Sequence, residues 1–293
     1  MSGRVRVSCL QLRPLPETAD GERYLESVLG QIRDAAGDGA DLVVLPELWY
    51  PGYFAFDGYA AAATTPSGPL PTRLARLAGT LGITLHIGSL VEAGATGADG
   101  RPRLHNTSLV FGPDGAPLAG YRKVHVFGYA SREPELIAGG RATATFPLAG
   151  ARMGLAICYD LRFPELFRAV VDEVSGYVVP ATWPAARVEH WSALLRARAI
   201  EDQAFVIGCN AAGTSHGVEL GGHSAVIDPW GAVVGAAGSE PGRLDVEIDL
   251  GVATAARATF PALRDRVWTQ PIPAAGSDQT SPDAGPTRKE GAK

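Results

Sequence analysis

Met153-Gly-Leu-Ala-Ile-Cys158-Tyr-Asp-Leu-Arg-Phe-Pro164 is the stretch on which the reading of this 293-residue chain turns. A small and apolar run ends on a cysteine, and a proline follows six residues later. Proline suits the first turn of a helix, where its fixed φ is already right and its missing N–H would have no partner anyway. The segment therefore reads as a buried strand over 152–158, a short turn, and a helix over 164–174. In sheets flanked by helices, reactive side chains collect where strands end. A cysteine at that point is either a small core residue or a nucleophile. A helix N-terminus and a cation nearby would both favour its thiolate.

Two other strand ends carry chemistry. Glu47 follows Leu42-Val-Val-Leu-Pro46, and Lys123 follows Ala119-Gly-Tyr-Arg122. A glutamate can take a thiol proton and later activate water. A lysine can stabilise the oxyanion formed at an attacked carbon. With Cys158 they would compose an acyl-transfer site that needs no metal or cofactor. Taken singly, each has a plainer reading: a loop cap for Glu47, a solvated side chain for Lys123, core packing for Cys158. Cys9 and Cys209 read as core residues. The chain has 23 arginines but only three lysines, two of them in the last five residues. A lone lysine before that point suggests a need for a compact ammonium that guanidinium cannot meet, or simply a biased composition.

Around these points, alternation and helical spacing set out the rest. Strands are expected at 5–12, 41–46, 83–91, 106–111, 177–180 and 204–210, with helices at 17–37, 70–82 and 189–202. Three closing strands, 224–228, 232–236 and 244–248, read as an antiparallel meander. Alternating strands and helices followed by a meander imply one α/β domain, here 1–268, with helices covering sheet faces. Residues 269–293 are rich in Pro, Gly, Ser, Asp and Thr, and read as a disordered tail.

Composition removes several classes. Acidic residues outnumber basic ones, 31 to 26, and no basic stripe is visible, which argues against nucleic acid. No apolar run approaches the ~20 residues needed to cross a bilayer, and 1–13 lacks the apolar region of a signal peptide. The three cysteines stand far apart, with neither a disulfide framework nor a CxxC metal spacing. A cytoplasmic globular protein is expected.

Three segments carry a resemblance. Leu42-Val-Val-Leu-Pro-Glu47, Tyr121-Arg-Lys-Val-His125 and Gly154-Leu-Ala-Ile-Cys-Tyr-Asp-Leu-Arg-Phe-Pro-Glu165 resemble, in order, the three signatures of the nitrilase, or carbon–nitrogen hydrolase, superfamily. The likeness runs from about Val5 to Arg266. It implies a four-layer αββα sandwich that pairs into a homodimer. It implies Glu47 as general base, Lys123 as oxyanion stabiliser and Cys158 as nucleophile, with the backbone N–H of Tyr159 in the oxyanion hole. A second family glutamate falls within Arg132-Glu-Pro-Glu-Leu-Ile-Ala-Gly-Gly140, where Gly139 replaces the usual proline. Distance to Gly140 favours Glu133 over Glu135. The reaction implied is hydrolysis of a small amide through a cysteine thioester, with release of ammonia.

The region from Trp183-Pro-Ala-Ala-Arg187 to Glu201, and Gly221–Trp230, resemble the ω-amidase branch. That branch acts on 2-oxoglutaramate and similar short monoamides, and a neighbouring branch acts on deaminated glutathione. Both substrates carry a carboxylate, which makes Arg162 and Arg187 candidate partners for it. Arg162 could instead pair internally with Asp160 or Glu165. Trp183 and Tyr159 could line a pocket or simply pack. Leu161 stands where N-carbamoyl hydrolases tend to show arginine, and the Trp-Glu run of true nitrilases is missing after Cys158. A Cys–His reading through His125 has no accompanying protease signature. A non-catalytic binding protein would be expected to have lost one of the three site residues.

Overall fold

The computed structural model describes residues 3–17, 19–96 and 102–267, so the 269–293 segment lies outside the described residues. The chain opens with β1 (Arg4–Gln11), α1 (Gly21–Gly37), β2 (Leu42–Val44), α2 (Tyr59–Ala62) and α3 (Pro69–Leu81). Next come β3 (Thr84–His86), β4 (Leu90–Thr96), β5 (Pro102–Phe111), β6 (Pro117–Arg122) and α4 (Glu133–Leu136). The middle holds β7 (Thr145–Leu148), β8 (Ala151–Leu155), α5 (Pro164–Arg168), β9 (Gly176–Ala181), α6 (Val188–Asp202) and β10 (Phe205–Asn210). The last described part holds β11 (Ala212–Ser215), β12 (Val218–Gly221), β13 (Ala225–Ile227), β14 (Val233–Ala236), β15 (Gly242–Asp249) and α7 (Gly251–Thr259).

Two sheets face each other. One runs β15-β1-β2-β3-β5-β4 with β6 on the other edge of β5, and the second runs β14-β13-β10-β9-β8-β7. Strand alternation sorts the side chains between layers. Leu42 and Val44 of β2 join Val5, Val7 and Cys9 in the core shared with Met153, Leu155, Ile207 and Cys209 of the second sheet. Val43 and Leu45 join Leu25, Val28 and Ile32 of α1 and Leu74 and Ala78 of α3. Trp191, Leu195 and Ala199 of α6 cover the far side of the second sheet. The architecture is the four-layer αββα sandwich. Each fully buried Val, Leu or Ile in it contributes roughly 1.5–3 kcal/mol.

Four local expectations are corrected. The 83–91 run is two strands, because Gly88 turns the chain at φ +68°, and a Cβ there would lie 1.9 Å from the Pro46 carbonyl oxygen. The first helix starts at Gly21, since the Asp20 side chain accepts from Glu22 N (2.9 Å) and Arg23 N (3.4 Å) and caps it. The helix expected over 164–174 stops at Arg168, and the β-branched, buried Val170, Val171 and Val174 follow in turns. The closing meander divides: β14 pairs with β13, whereas β15 crosses to the first sheet and pairs with β1 along its whole length.

Candidate active site

Glu47 lies three residues past β2, Lys123 directly after β6, Cys158 three past β8 and Thr182 directly after β9. The stacking of the two sheets brings these strand ends together, and Glu133, the first residue of α4, joins them. All the expected catalytic side chains meet.

Glu47 is placed by the Gly88 turn. The Ser89 hydroxyl beyond that turn accepts from Leu48 N (3.0 Å), and Ser108 Oγ donates to Gly88 O (2.6 Å). Thr182 clamps the glutamate from the second sheet: its N–H donates to Glu47 Oε2 (3.0 Å) and its hydroxyl to the Glu47 carbonyl (2.6 Å). Glu47 Oε1 accepts from Lys123 Nζ and from Asn106 Nδ2, each at 2.9 Å. Lys123 Nζ also donates to Glu133 Oε1 (3.0 Å) and Oε2 (3.1 Å). Glu133 further accepts from Tyr53 Oη (3.1 Å) and Phe127 N (2.8 Å). The side chains of Glu47, Lys123 and Glu133 are all fully buried. Glu135 instead points outward beside Arg132 and is 69% exposed, so Glu133 is the glutamate of the cluster.

Burial alone would strip the lysine of its proton. Glu133 and then Glu47 outweigh burial and hold Lys123 well above the usual lysine range, so it stays an ammonium. Cys158 moves the other way. Burial first, and then the Glu47 carboxylate, push its thiol well above the usual cysteine range, against the pull of Lys123. The expected preformed thiolate is therefore corrected: burial and Glu47 outweigh Lys123, and a neutral thiol is the favoured resting form. The same Glu47 carboxylate that raises the thiol lies within hydrogen-bonding reach of it.

The cysteine sits on a strained corner at φ +47°, opening the 3-10 turn Cys158–Arg162. A non-glycine residue there costs about 1–2 kcal/mol. Asp160, fully buried, holds the corner. Its Oδ2 accepts from Ile157 N (3.0 Å) and Tyr121 Oη (2.7 Å), and its Oδ1 from His125 N and Nδ1, both at 2.8 Å. The carboxylate thus ties the turn carrying Cys158 to the segment carrying Lys123.

Cys158 opens into a pocket of about 350 Å³, counted to its open mouth. Tyr53, Phe54, Phe127, Tyr159 and Trp183 wall it, and Arg162 and Arg187 face it. Asp160 is taken by the contacts above, and among the described residues Arg162 makes no ion pair, so its internal salt bridge is set aside. Its guanidinium stacks 4.7 Å over Trp183, and its Nη2 donates to His190 Nδ1 (3.3 Å). Arg187 lies 5.7 Å over Phe127. Trp183 both packs and lines: it is 3% exposed, and its backbone N–H donates to Asn210 Oδ1 at 2.7 Å.

The carbon–nitrogen hydrolase family model matches residues 6–258. The chain belongs to the carbon–nitrogen hydrolase family. The 2-oxoglutaramate amidase of Paenarthrobacter nicotinovorans is 38% identical, over 91% of this chain and 92% of its own. That of Bacillus subtilis (strain 168) is 33% identical, over 88% and 96%. The crystal structure of XC1258 from Xanthomonas campestris, a superfamily protein with an arsenic adduct in its active site, superposes with a TM-score of 0.81. It shares 29% identity, over 91% of this chain and 98% of that one. This hydrolase is an amidase of the nitrilase superfamily and cleaves carbon–nitrogen bonds.

Several residues around the amidase site carry no local signal in the sequence. Asn106 and Thr182 lie inside or just past ordinary strands, and nothing in their neighbours marks them. Tyr53 follows a Pro-Gly pair in a segment without periodicity. Asp160 is visible in the sequence, but as a neighbour of Arg162 and not as the anchor of the corner. Among the described residues no cluster of three metal-ligating side chains occurs, and no helix is long and apolar enough to cross a membrane.

Proposed function

We propose that the enzyme deamidates a short ω-monoamide of a dicarboxylic acid, of the 2-oxoglutaramate kind, through a thioester on Cys158. The observation that carries this reading is the pairing of one neutral thiol with a buried Glu47–Lys123–Glu133 network on one side and two arginines on the other. Glu47 takes the proton from Cys158 Sγ as the sulfur attacks the amide carbon. Lys123 and the Tyr159 N–H stabilise the resulting oxyanion. The C–N bond breaks as the proton held by Glu47 passes to nitrogen, and ammonia leaves. Water then gives a proton to Glu47 and attacks the thioester carbon. The C–S bond breaks, the acid departs, and the proton returns to sulfur. Glu133 holds the ammonium in place throughout. Arg162 and Arg187 receive the distal carboxylate, with Trp183 stacked behind Arg162.

Ammonia release from 2-oxoglutaramate, succinamate, deaminated glutathione, an N-carbamoyl amino acid and a simple nitrile tests the reading, with intact-mass detection of an acyl adduct on Cys158. Turnover confined to the short monoamides, and lost in Arg162→Ala or Arg187→Ala through a raised KM, is the expected result. Preference for an uncharged amide overturns the substrate assignment. An active Cys158→Ala overturns the chemistry. A cytoplasmic location and a homodimer belong to the same proposal. The half-exposed Ile200 and Trp230, adjacent through Gly231, offer an apolar patch for a second copy. Trp230→Glu is expected to give monomers in sedimentation.

A further inference from the structure

We propose that Asn106 is a positioning residue of the reaction: its single amide nitrogen bridges the two glutamates, fixing both around Lys123. The inference rests on the assignment of Glu47 as the base.

Asn106 is fully buried on β5. Its Nδ2 donates to Glu47 Oε1 at 2.9 Å and to Glu133 Oε1 at 3.3 Å. Its backbone carbonyl oxygen accepts from the backbone N–H of Lys123 at 2.8 Å, a bond that any residue at this position would make. The side chain therefore sets the separation of the two anions on either side of the ammonium. The amide orientation follows from the acceptors. Turned over, Oδ1 would face two carboxylate oxygens at those distances. The nitrogen must face them, and Oδ1 is then left buried without a hydrogen-bond partner. An apolar side chain would leave no such orphan, and burying an unpaired carbonyl is unfavourable. The donors thus have a use that packing alone does not supply.

That use is electrostatic. Lys123 alone faces two carboxylates, and the thiol beside them is held neutral. Donation from Asn106 adds a fixed hydrogen bond to each carboxylate without adding charge. It holds Glu47 Oε1 and Glu133 Oε1 at one separation around the ammonium, so that Glu47 stays aligned with the thiol. An isosteric aspartate would place a third set of acceptors against the first two.

The test compares wild type, Asn106→Leu, Asn106→Asp and, as a control, Glu47→Gln, with succinamate as substrate. kcat and KM are read by ammonia release from about pH 5 to about pH 9, with the folded fraction measured for each protein. Asn106→Leu is expected to lose about 10–100-fold in kcat, with KM changed by less than about threefold. Folded Asn106→Leu is expected to keep that kcat deficit at every pH in the range, because the lost bond positions the base and touches no substrate. Asn106→Asp, which keeps the shape, is expected to lose at least as much. A nearly wild-type Asn106→Asp overturns the proposal. So does an Asn106→Leu protein whose loss follows its folded fraction, or falls on KM and not on kcat. Failure of the base assignment is distinguishable: Glu47→Gln would then keep activity, whereas failure of the Asn106 role alone leaves Glu47→Gln inactive.

Discussion

Two buried acidic clusters in this molecule treat charge in opposite ways. Behind the pocket, Glu47 and Glu133 have their oxygens met by an ammonium, an amide, a phenol and two backbone N–H groups, and they keep Lys123 charged. At the end of α6, Asp202 is 1% exposed, with Arg168 Nη1 at 3.2 Å, yet among the described residues neither carboxylate oxygen receives a well-directed hydrogen bond, the nearby Tyr177 hydroxyl donating to Phe167 O at 2.9 Å instead. Burial pushes its pKa up to about 6, against the pull of Arg168. A nearby cation does not by itself keep a buried carboxylate ionised. Converging, aligned donors retain a buried charge, and the enzyme has assembled them where charge is used.

The sharpest way to break this contrast is at the sulfur. Cys158→Ala should abolish turnover while leaving the melting temperature close to wild type, since the removed group is small and borders the pocket. A preserved rate would detach the whole network from catalysis. Lys123→Ala comes next. It should lower kcat by ~10²–10³ or more and cost about 3–5 kcal/mol of stability, because two buried carboxylates lose their counter-ion. Lys123→Arg should be nearly as inactive, since a planar fork does not replace a point charge between two anions. Urea unfolding beside kcat checks both. Glu133→Gln keeps the shape but weakens the hold on the ammonium, so a fall of about 10–100-fold in kcat with little change in KM is expected.

The smallest effect lies in the other cluster and carries a definite sign. The folded-state pKa of Asp202 is raised from 3.8 to about 6. Its contribution to stability is therefore fully present below the unfolded value and is lost as pH rises through the folded one. Asp202→Asn removes that loss. The stability difference between the variant and wild type should change in favour of the variant by about 2–3 kcal/mol between pH 4 and pH 8. Activity should stay unchanged. A difference that is flat with pH would show that Arg168 already satisfies the carboxylate, and the contrast between the clusters would close.

Legibility followed the range of each interaction. Glu47, Lys123 and Cys158 could be read because each ends a short strand-like run, and because the residue types match one chemistry in a known order. The layers were legible only in outline: 42–45 is apolar throughout, and only the structure sends Leu42 and Val44 to one face and Val43 and Leu45 to the other. Where a distant neighbour decides, the reading failed. Gly88 breaks a strand because the Pro46 carbonyl lies against it, and β15 leaves β14 because β1 offers a full-length partner. A cation near Cys158 suggested a thiolate, but burial of the sulfur, and then the Glu47 carboxylate, outweigh Lys123 and reverse the direction.

The sequence by itself determined which residue types stand at the strand ends, and hence the family and the class of bond attacked, since both depend on short stretches of chain. Only the tertiary structure decided that Asn106 bridges the two glutamates, that Asp160 anchors the cysteine corner, and that Arg162 faces the pocket with no internal ion pair among the described residues. Each of these is settled by hydrogen bonds and desolvation between segments far apart in the chain. Their energies depend on distance and alignment in space, which no local pattern of residues encodes.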